Sequence, residues 1–470
     1  MTDLTLSGGM AAPPKRFRPA APEPQDHEPG LFELLSPKAA RNLITAIPRA
    51  AFELPYRKVR MLHLVYHGVS DPDAIKRVFV DNAQAYRRPD LVKRVLRPAI
   101  GESLFNAEGD DWQAQRRLMA PVFGPRAVGA FAPLFAEIAS RSAKRLGDGG
   151  LVVDMAAEAT RTTLEVIDAA LFGGESDMPF EETSAHVRDF MTGSTEIRLP
   201  LLFGLEGLDV GAAQRRARRS RQVLVRRMAA FIRRRTAEPQ GPEDFIARLY
   251  AAFLAEHPPE DALQLTLDNA MVFFVAGHET TANGLAWALY LLSGDPQAQA
   301  WAREEAREAW AAAGDDPDAL LGRLPYLKMV WDETLRLYPP VHRVERQAIA
   351  DDELCGHAVK RGDMISVWPW VVHRHRTLWD EPDVFNPEHF DPEGRQALHR
   401  YQYIPFGAGP RVCIGMGFAQ AEALILLSRW LLEHRFSPVR GREVQPQADF
   451  SLRPEGGLPL VVERLDLWSN

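Results

Sequence analysis

Apolar residues recur at intervals of three and four through most of the chain, the spacing that gathers them on one face of a helix. Segments near 124–147, 152–172, 179–195, 209–236 and 242–256 show it, separated by Gly or Pro breaks. The longest such stretch, Pro259 to Gly294, is the most apolar, and Met416 to Leu432 has almost unbroken helical character. Ser36-Pro37 and Asp71-Pro72 carry the start signals of two further helices. Alternation with period two is rarer. Met61 to His67 reads as a strand, Asp351 to Val367 as paired strands around Gly356, and Leu452 to Val462 as a hairpin turning at Gly456-Gly457. The chain is expected to be mostly helical, with strands few and late.

Composition narrows this modestly. With 470 residues, 46% hydrophobic and 25% charged, the chain can bury a large core, and a net charge of -7 gives no reason to expect nucleic acid. Two cysteines, Cys355 and Cys413, cannot form a disulfide framework, which fits a reducing, cytoplasmic interior. Cys355, beside Gly356, reads as structural packing. Residues 1–35 are rich in Pro and Ala and read as a flexible leader. They hold no apolar run near the ~20 residues a membrane span needs, so no transmembrane anchor is expected. Residues 36–470 read as one domain, with no repeat and no internal linker. The run of arginines from Arg215 to Arg235 reads as a solvated helix face, with an anionic partner as the alternative.

Candidate chemistry concentrates in Phe406 to Gly415, Phe-Gly-Ala-Gly-Pro-Arg-Val-Cys-Ile-Gly. Three glycines around one thiol point to unusual dihedrals or a close approach to something large. The helix that follows would place Cys413 where free N–H groups favour a thiolate. A lone cysteine in a tight turn is the commoner case. The spacing Phe406-x-x-Gly409-x-x-x-Cys413-x-Gly415, however, resembles the haem-binding signature of the cytochrome P-450 family of haem-thiolate monooxygenases, in a soluble, bacterial-type form.

The resemblance covers roughly 40–465 and implies a mainly α single domain with a smaller β-rich part. Its cofactor would be haem b (iron protoporphyrin IX), with Cys413 as the iron ligand and Phe406 and Gly415 beside it. In Ala276-Gly277-His278-Glu279-Thr280-Thr281 the acid and the hydroxyl resemble the family's oxygen-activating pair. Thr280 would be a hydrogen-bond partner and Glu279 a proton relay; a threonine bonded back to the i−4 carbonyl is the structural alternative. Glu333-Thr334-Leu335-Arg336 resembles the structural Glu-x-x-Arg pair. Where the family usually has Arg as third partner, Pro387-Glu388-His389-Phe390 has His389, so a pH-sensitive network is expected. Trp112, Arg116, Arg346 and Arg411 are the candidates to hold the haem propionates. Val272, Phe273, Ala276, Val341, Arg343 and Leu458 would line the substrate pocket, while His342 and Arg343 read as surface-directed. Segments 86–110 and 176–208 would shape the entrance.

The implied reaction inserts one atom of O2 into a small apolar substrate such as a fatty acid, terpenoid or steroid. No flavin or iron–sulfur domain is appended, so electrons are expected from NAD(P)H through a separate ferredoxin or flavodoxin and its reductase. A peroxide-driven peroxygenase and a non-catalytic haem sensor are the alternatives.

Overall fold

The computed structural model describes residues 16–465 apart from 31–32, 34–35, 37–38, 40, 62–63, 148–149, 175–178, 196–210, 238–244 and 315. Residues 37–38 and 40 of the helix expected from Ser36-Pro37, and 176–178 and 196–208 of the entrance segment 176–208, therefore lie outside the described residues.

One helix organises the rest. Pro259–Gly294 runs 36 residues through the core, started by Pro258-Pro259 and by Glu260 and Asp261 in its first turn, where acids favour the helix dipole. It packs against Met155–Phe172, Ala212–Ala237, Phe245–Leu254, Pro325–Leu337 and Met416–Glu433. Trp287 on this helix stacks flat on Tyr338, ring centroids 3.9 Å apart, within a buried cluster that also holds Trp331, Trp370 and Trp430. Aromatic payloads of this size dominate core energetics. On Ala212–Ala237, Arg216, Arg218, Arg219, Arg226 and Arg233 are exposed, the solvated face expected from the sequence.

Strands are not confined to the end of the chain. Tyr56–Met61 and Leu64–Val69 form an early antiparallel pair. They join Met364–Val367, Val344–Ala348 and Tyr86–Arg87 in a five-stranded sheet whose one parallel contact is Leu64–Val69 with Met364–Val367. The hairpin expected at Gly456-Gly457 does not form. Leu452–Pro454 pairs with Pro446–Ala448, whereas Pro459–Arg464 pairs with Leu151–Asp154 and His434–Pro438. Asp154 is the reason: its carboxylate accepts from the Leu458 N–H at 2.8 Å, and the Met155 N–H donates to the Leu458 carbonyl at 2.8 Å. These bonds draw the second strand to a different sheet.

Cys355 is likewise not core packing. It is exposed at φ 50°, followed by Gly356 at φ 75°, in a two-residue turn joining Asp352–Leu354 to His357–Val359. Two successive positive φ values suit the right-handed twist of a tight hairpin.

Residues 16–30 of the expected leader are laid on the fold. Phe17 packs edge-on to Tyr290 and fills the space where a Cβ on Gly294 would fall. The Phe385 N–H donates to the Phe17 carbonyl at 2.9 Å, and Tyr338 donates to the Ala20 carbonyl at 2.6 Å. Arg16 pairs with Glu388 and Arg18 with Asp383. Proline and alanine were read as markers of flexibility, but the aromatic and the two cations among them have specific seats.

Among the described residues no single helix is long and apolar enough to cross a membrane. The bent pair 109–123 and 125–145 has a span's length and composition, but Phe135, Ile138 and Ala139 on it are fully buried in the core.

Candidate functional site

Gly407 and Gly409 adopt φ values of 74° and 69°, and a Cβ on Gly409 would fall on the Phe79 carbonyl oxygen. Only glycine fits both the backbone and the space. The loop then closes through the Cys413 N–H, which donates to the Phe406 carbonyl at 3.0 Å, with Phe406 packed on the main core. Gly415 is the residue before helix Met416–Glu433, so Cys413 stands three positions ahead of that helix.

Solvent reaches Cys413, yet protein crowds it so closely that burial is the first influence on its thiol. Burial pushes the Cys413 thiol up, while the Gly415 backbone N–H and the Arg116 guanidinium pull it down. The helix start therefore does not by itself make the sulfur an anion, which corrects the expectation from sequence. A cation bound at the sulfur would reverse the balance, because a coordinated thiol loses its proton.

Ala276 is exposed in the middle of the central helix, directly after the buried Phe273, Phe274 and Val275, and Val341 is 43% exposed. Val272 is half-buried. Two other pocket candidates turn inward. Leu458 is fully buried in the main core, and Phe273 packs against Phe123 and Phe245. Arg343 stacks over Trp368 and pairs with Glu345 at 3.4 Å. His342 is not surface-directed: it is buried, its Nδ1 has no partner, and burial pushes its pKa down to about 3.

Arg411 of this loop and two further arginines, Arg88 and Arg346, act on one another. Arg346 and Arg411 each depress the affinity of Arg88 for its proton, and Arg411 does the same to Arg346. Burial is the larger cause in both, bringing Arg88 to about 9 and Arg346 to about 10. Among the described residues the one carboxylate that acts on all three is Glu108, which pairs with Arg411 and accepts from the Arg88 backbone N–H at 3.0 Å. Three guanidiniums against one carboxylate leave two positive charges unbalanced. Arg88 lies over Phe105 at 3.7 Å with its buried Nε unpartnered, and Arg411 lies 4.6 Å over Trp112. A ligand with two carboxylates would balance this cluster. The open sulfur, the glycine loop and the doubly positive cluster therefore fit haem b. Arg116 is placed with the sulfur rather than with this cluster.

On the central helix Thr280 donates to the Ala276 carbonyl at 2.8 Å and Thr281 to the Gly277 carbonyl at 3.1 Å. The back-bonded geometry thus holds for both hydroxyls, beside the exposed Ala276. Burial holds the Glu279 carboxyl above its usual range, opposed by Ser451, whose hydroxyl donates to it at 2.6 Å. His278 is buried, with Nδ1 2.7 Å from the Phe274 carbonyl, so it is held within its own helix. Glu422, on the helix after Cys413, is fully buried, hydrogen-bonds Thr281 and leaves Oε1 unpartnered; burial drives its pKa well up.

The Glu333–Arg336 pair is wholly buried and two-pronged, with bonds of 2.7 and 2.6 Å. Arg336 spends its remaining donors on the carbonyls of His373, Pro382 and Val384. The Asn386 N–H donates to Glu333 at 2.8 Å. His389 completes the group: Nδ1 lies 3.3 Å from each Glu333 oxygen and Nε2 3.0 Å from the Asp380 carbonyl. Both nitrogens thus face acceptors.

Sequence reading missed Arg88, Glu108, Ser451 and Glu422. Glu422 stands nine positions beyond the cysteine on an apolar helix, a signal available in the sequence. The others meet only through the fold.

Comparison with known proteins agrees with this geometry. The family profile described as Cytochrome P450 matches residues 53–461. A human protein named ultra-long-chain fatty acid omega-hydroxylase is 31% identical over 424 residues, 84% of this chain and 78% of its own length. Rat cytochrome P450 4F1 is 30% identical over 419 residues, 84% of this chain and 79% of its own. The Arabidopsis thaliana protein LUTEIN DEFICIENT 5, chloroplastic, is 28% identical over 462 residues, 90% of this chain and 76% of its own.

Proposed function

The chain belongs to the cytochrome P450 family of haem-dependent monooxygenases, and from that premise we propose that it hydroxylates long-chain fatty acids or similar lipid-like molecules, with electrons from separate redox proteins. One oxygen atom of O2 enters a substrate C–H bond and the other leaves as water, consuming two protons and two electrons from NAD(P)H. The substrate class draws support from the human fatty acid hydroxylase among the relatives and from the apolar Val272, Ala276 and Val341. A ferredoxin or flavodoxin with its reductase is the proposed electron source. A bacterial-type grouping gains no support from the mammalian and plant relatives named above. A cytoplasmic setting is inferred from Cys355 and Cys413 both being free thiols.

Haem, when bound, supplies the oxygen activation. Cys413 holds its iron, and Arg88, Arg346 and Arg411 hold its two carboxylates. Thr280 offers a hydroxyl, which at rest donates to the Ala276 carbonyl, as hydrogen-bond partner. Glu279, whose hold on a proton burial strengthens, serves as proton donor to that hydroxyl.

The observation that carries the reading is the accessible Cys413 sulfur among glycines beside a doubly positive arginine cluster. Reduced protein treated with carbon monoxide should give the red-shifted absorption of sulfur ligation, and Cys413→Ala should abolish it. An unchanged spectrum in that variant would remove the assignment. Fatty acids of increasing chain length should then shift the resting spectrum, and failure of all of them would exclude the substrate class alone.

A further inference from the structure

Glu279 is directed at the carboxyl-terminal part of the chain. Its Oε1 accepts from Ser451, 172 residues away in sequence, at 2.6 Å. Ser451 in turn accepts from the amide nitrogen of Asn283 at 3.0 Å, and Asn283 lies one turn beyond Glu279 on the central helix. An amide N–H can only donate, so the single proton of Ser451 is directed to Glu279. Ser451 is 1% exposed and Asn283 8%. This donor chain therefore runs in a protein interior, where such bonds are strong and a missing partner is costly.

On the outer side, Ser451 sits between Asp449 and Arg453, which pair at 2.6 Å with side chains 30% and 39% exposed. The segment is fixed from both flanks: Trp287 donates to the Leu452 carbonyl at 3.1 Å, and the Leu452 N–H donates to the Pro340 carbonyl at 2.9 Å. Ser451 is thus presented to Glu279 by the pinned turn between Pro446–Ala448 and Leu452–Pro454. Asp449 in that turn and Arg453 on the strand after it are the charged groups that act on Glu279, the first raising and the second lowering its hold on a proton.

Resting on the relay reading of Glu279, we propose that Ser451, aligned by Asn283, is a positioning residue that holds the Glu279 carboxyl between successive proton transfers. The Ser451 hydrogen stays on Ser451 throughout, and Glu279 takes each new proton from solvent. Glu279 then turns to Thr280, gives up its proton, and returns to Ser451 as a carboxylate. Nothing is consumed beyond the two protons that the reaction already requires.

A purely structural role for Ser451 would predict only a modest loss of stability. The test compares S451A, S451T, N283A and E279Q in the full-length, haem-loaded protein, using lauric acid or whichever fatty acid gives the strongest spectral shift. Two quantities are read: the share of NAD(P)H electrons recovered in product rather than peroxide, and the ionisation of Glu279 by infrared titration of the resting protein, with E279Q as the blank. S451A should lower the coupled rate roughly tenfold, the scale on which outer partners of a site act. It should also move Glu279 ionisation to higher pH, because a donor to the carboxylate is lost. S451T should restore both. N283A, which leaves the serine and the acid in place, should shift both in the same direction by less, and it serves as the test if S451A does not fold. If E279Q is impaired while S451A, or N283A in its place, couples and titrates like the unaltered protein, this proposal falls and the relay reading stands. An unimpaired E279Q would remove the relay reading itself.

Discussion

Two of the polar groups buried in this protein are finished to different degrees. Around Glu333, every donor of Arg336 has an acceptor, both carboxylate oxygens are bonded, and His389 has an acceptor at each nitrogen. Around Glu279, the Thr280 and Thr281 hydroxyls are turned onto carbonyls of their own helix, the acid is parked on a distant serine, and Glu422 keeps one oxygen unbonded. A saturated network has one arrangement and fixes the chain around it. An unsaturated one has alternatives of similar energy, which proton transfer needs.

The largest effect should come from opening the finished group. Glu333→Ala strands the Arg336 cation at zero exposure, a loss of about 3–5 kcal/mol, and should leave little haem-loaded protein on purification. His389→Ala keeps the two-pronged pair and should cost only about 1–3 kcal/mol, read from chemical unfolding. Equal losses in the two variants would mean that His389 is as essential as the pair.

In the unfinished group, stability and function should separate. Thr280→Ala should fold and bind haem, while product formation falls about a hundredfold and the electrons appear as peroxide. A large loss of folding would place Thr280 with the scaffold instead. The smallest effect concerns Glu422, whose folded-state pKa is raised well above 4.5 by burial. Its stabilising contribution is complete below that value and is lost as pH rises through the raised one, because the unfolded chain sheds a proton that the folded chain keeps. Melting temperatures of Glu422→Gln should therefore gain on those of the unaltered protein between pH 4.5 and 8, and parallel curves would show Glu422 to be ionised when folded.

The finished group was largely legible in the sequence, since Glu333 and Arg336 are three apart on one helix and His389 sits in a recognisable segment. The long helices and the glycine loop were legible for the same reason: periodicity and backbone demands are local. Contacts across the chain were not. Arg88 meets Arg346 and Arg411 only when the Tyr86–Arg87 strand pairs with Val344–Ala348. No spacing announces Ser451 as the partner of Glu279. The hairpin at Gly456-Gly457 was misread because Asp154, some 300 residues earlier, redirects its second strand. Leu458 was misplaced with it.

The seating of residues 16–20 bears on how the chain is made. Arg18 leaves the ribosome 365 residues before Asp383, the acid it will grip, so the first described stretch to emerge must wait for one near the end before it can settle. During that interval Phe17 has no home and the groove over Gly294 stands open. A bulky fusion placed immediately ahead of Arg16 would compete for that groove at the moment of closure, which argues for attaching purification handles at the other end.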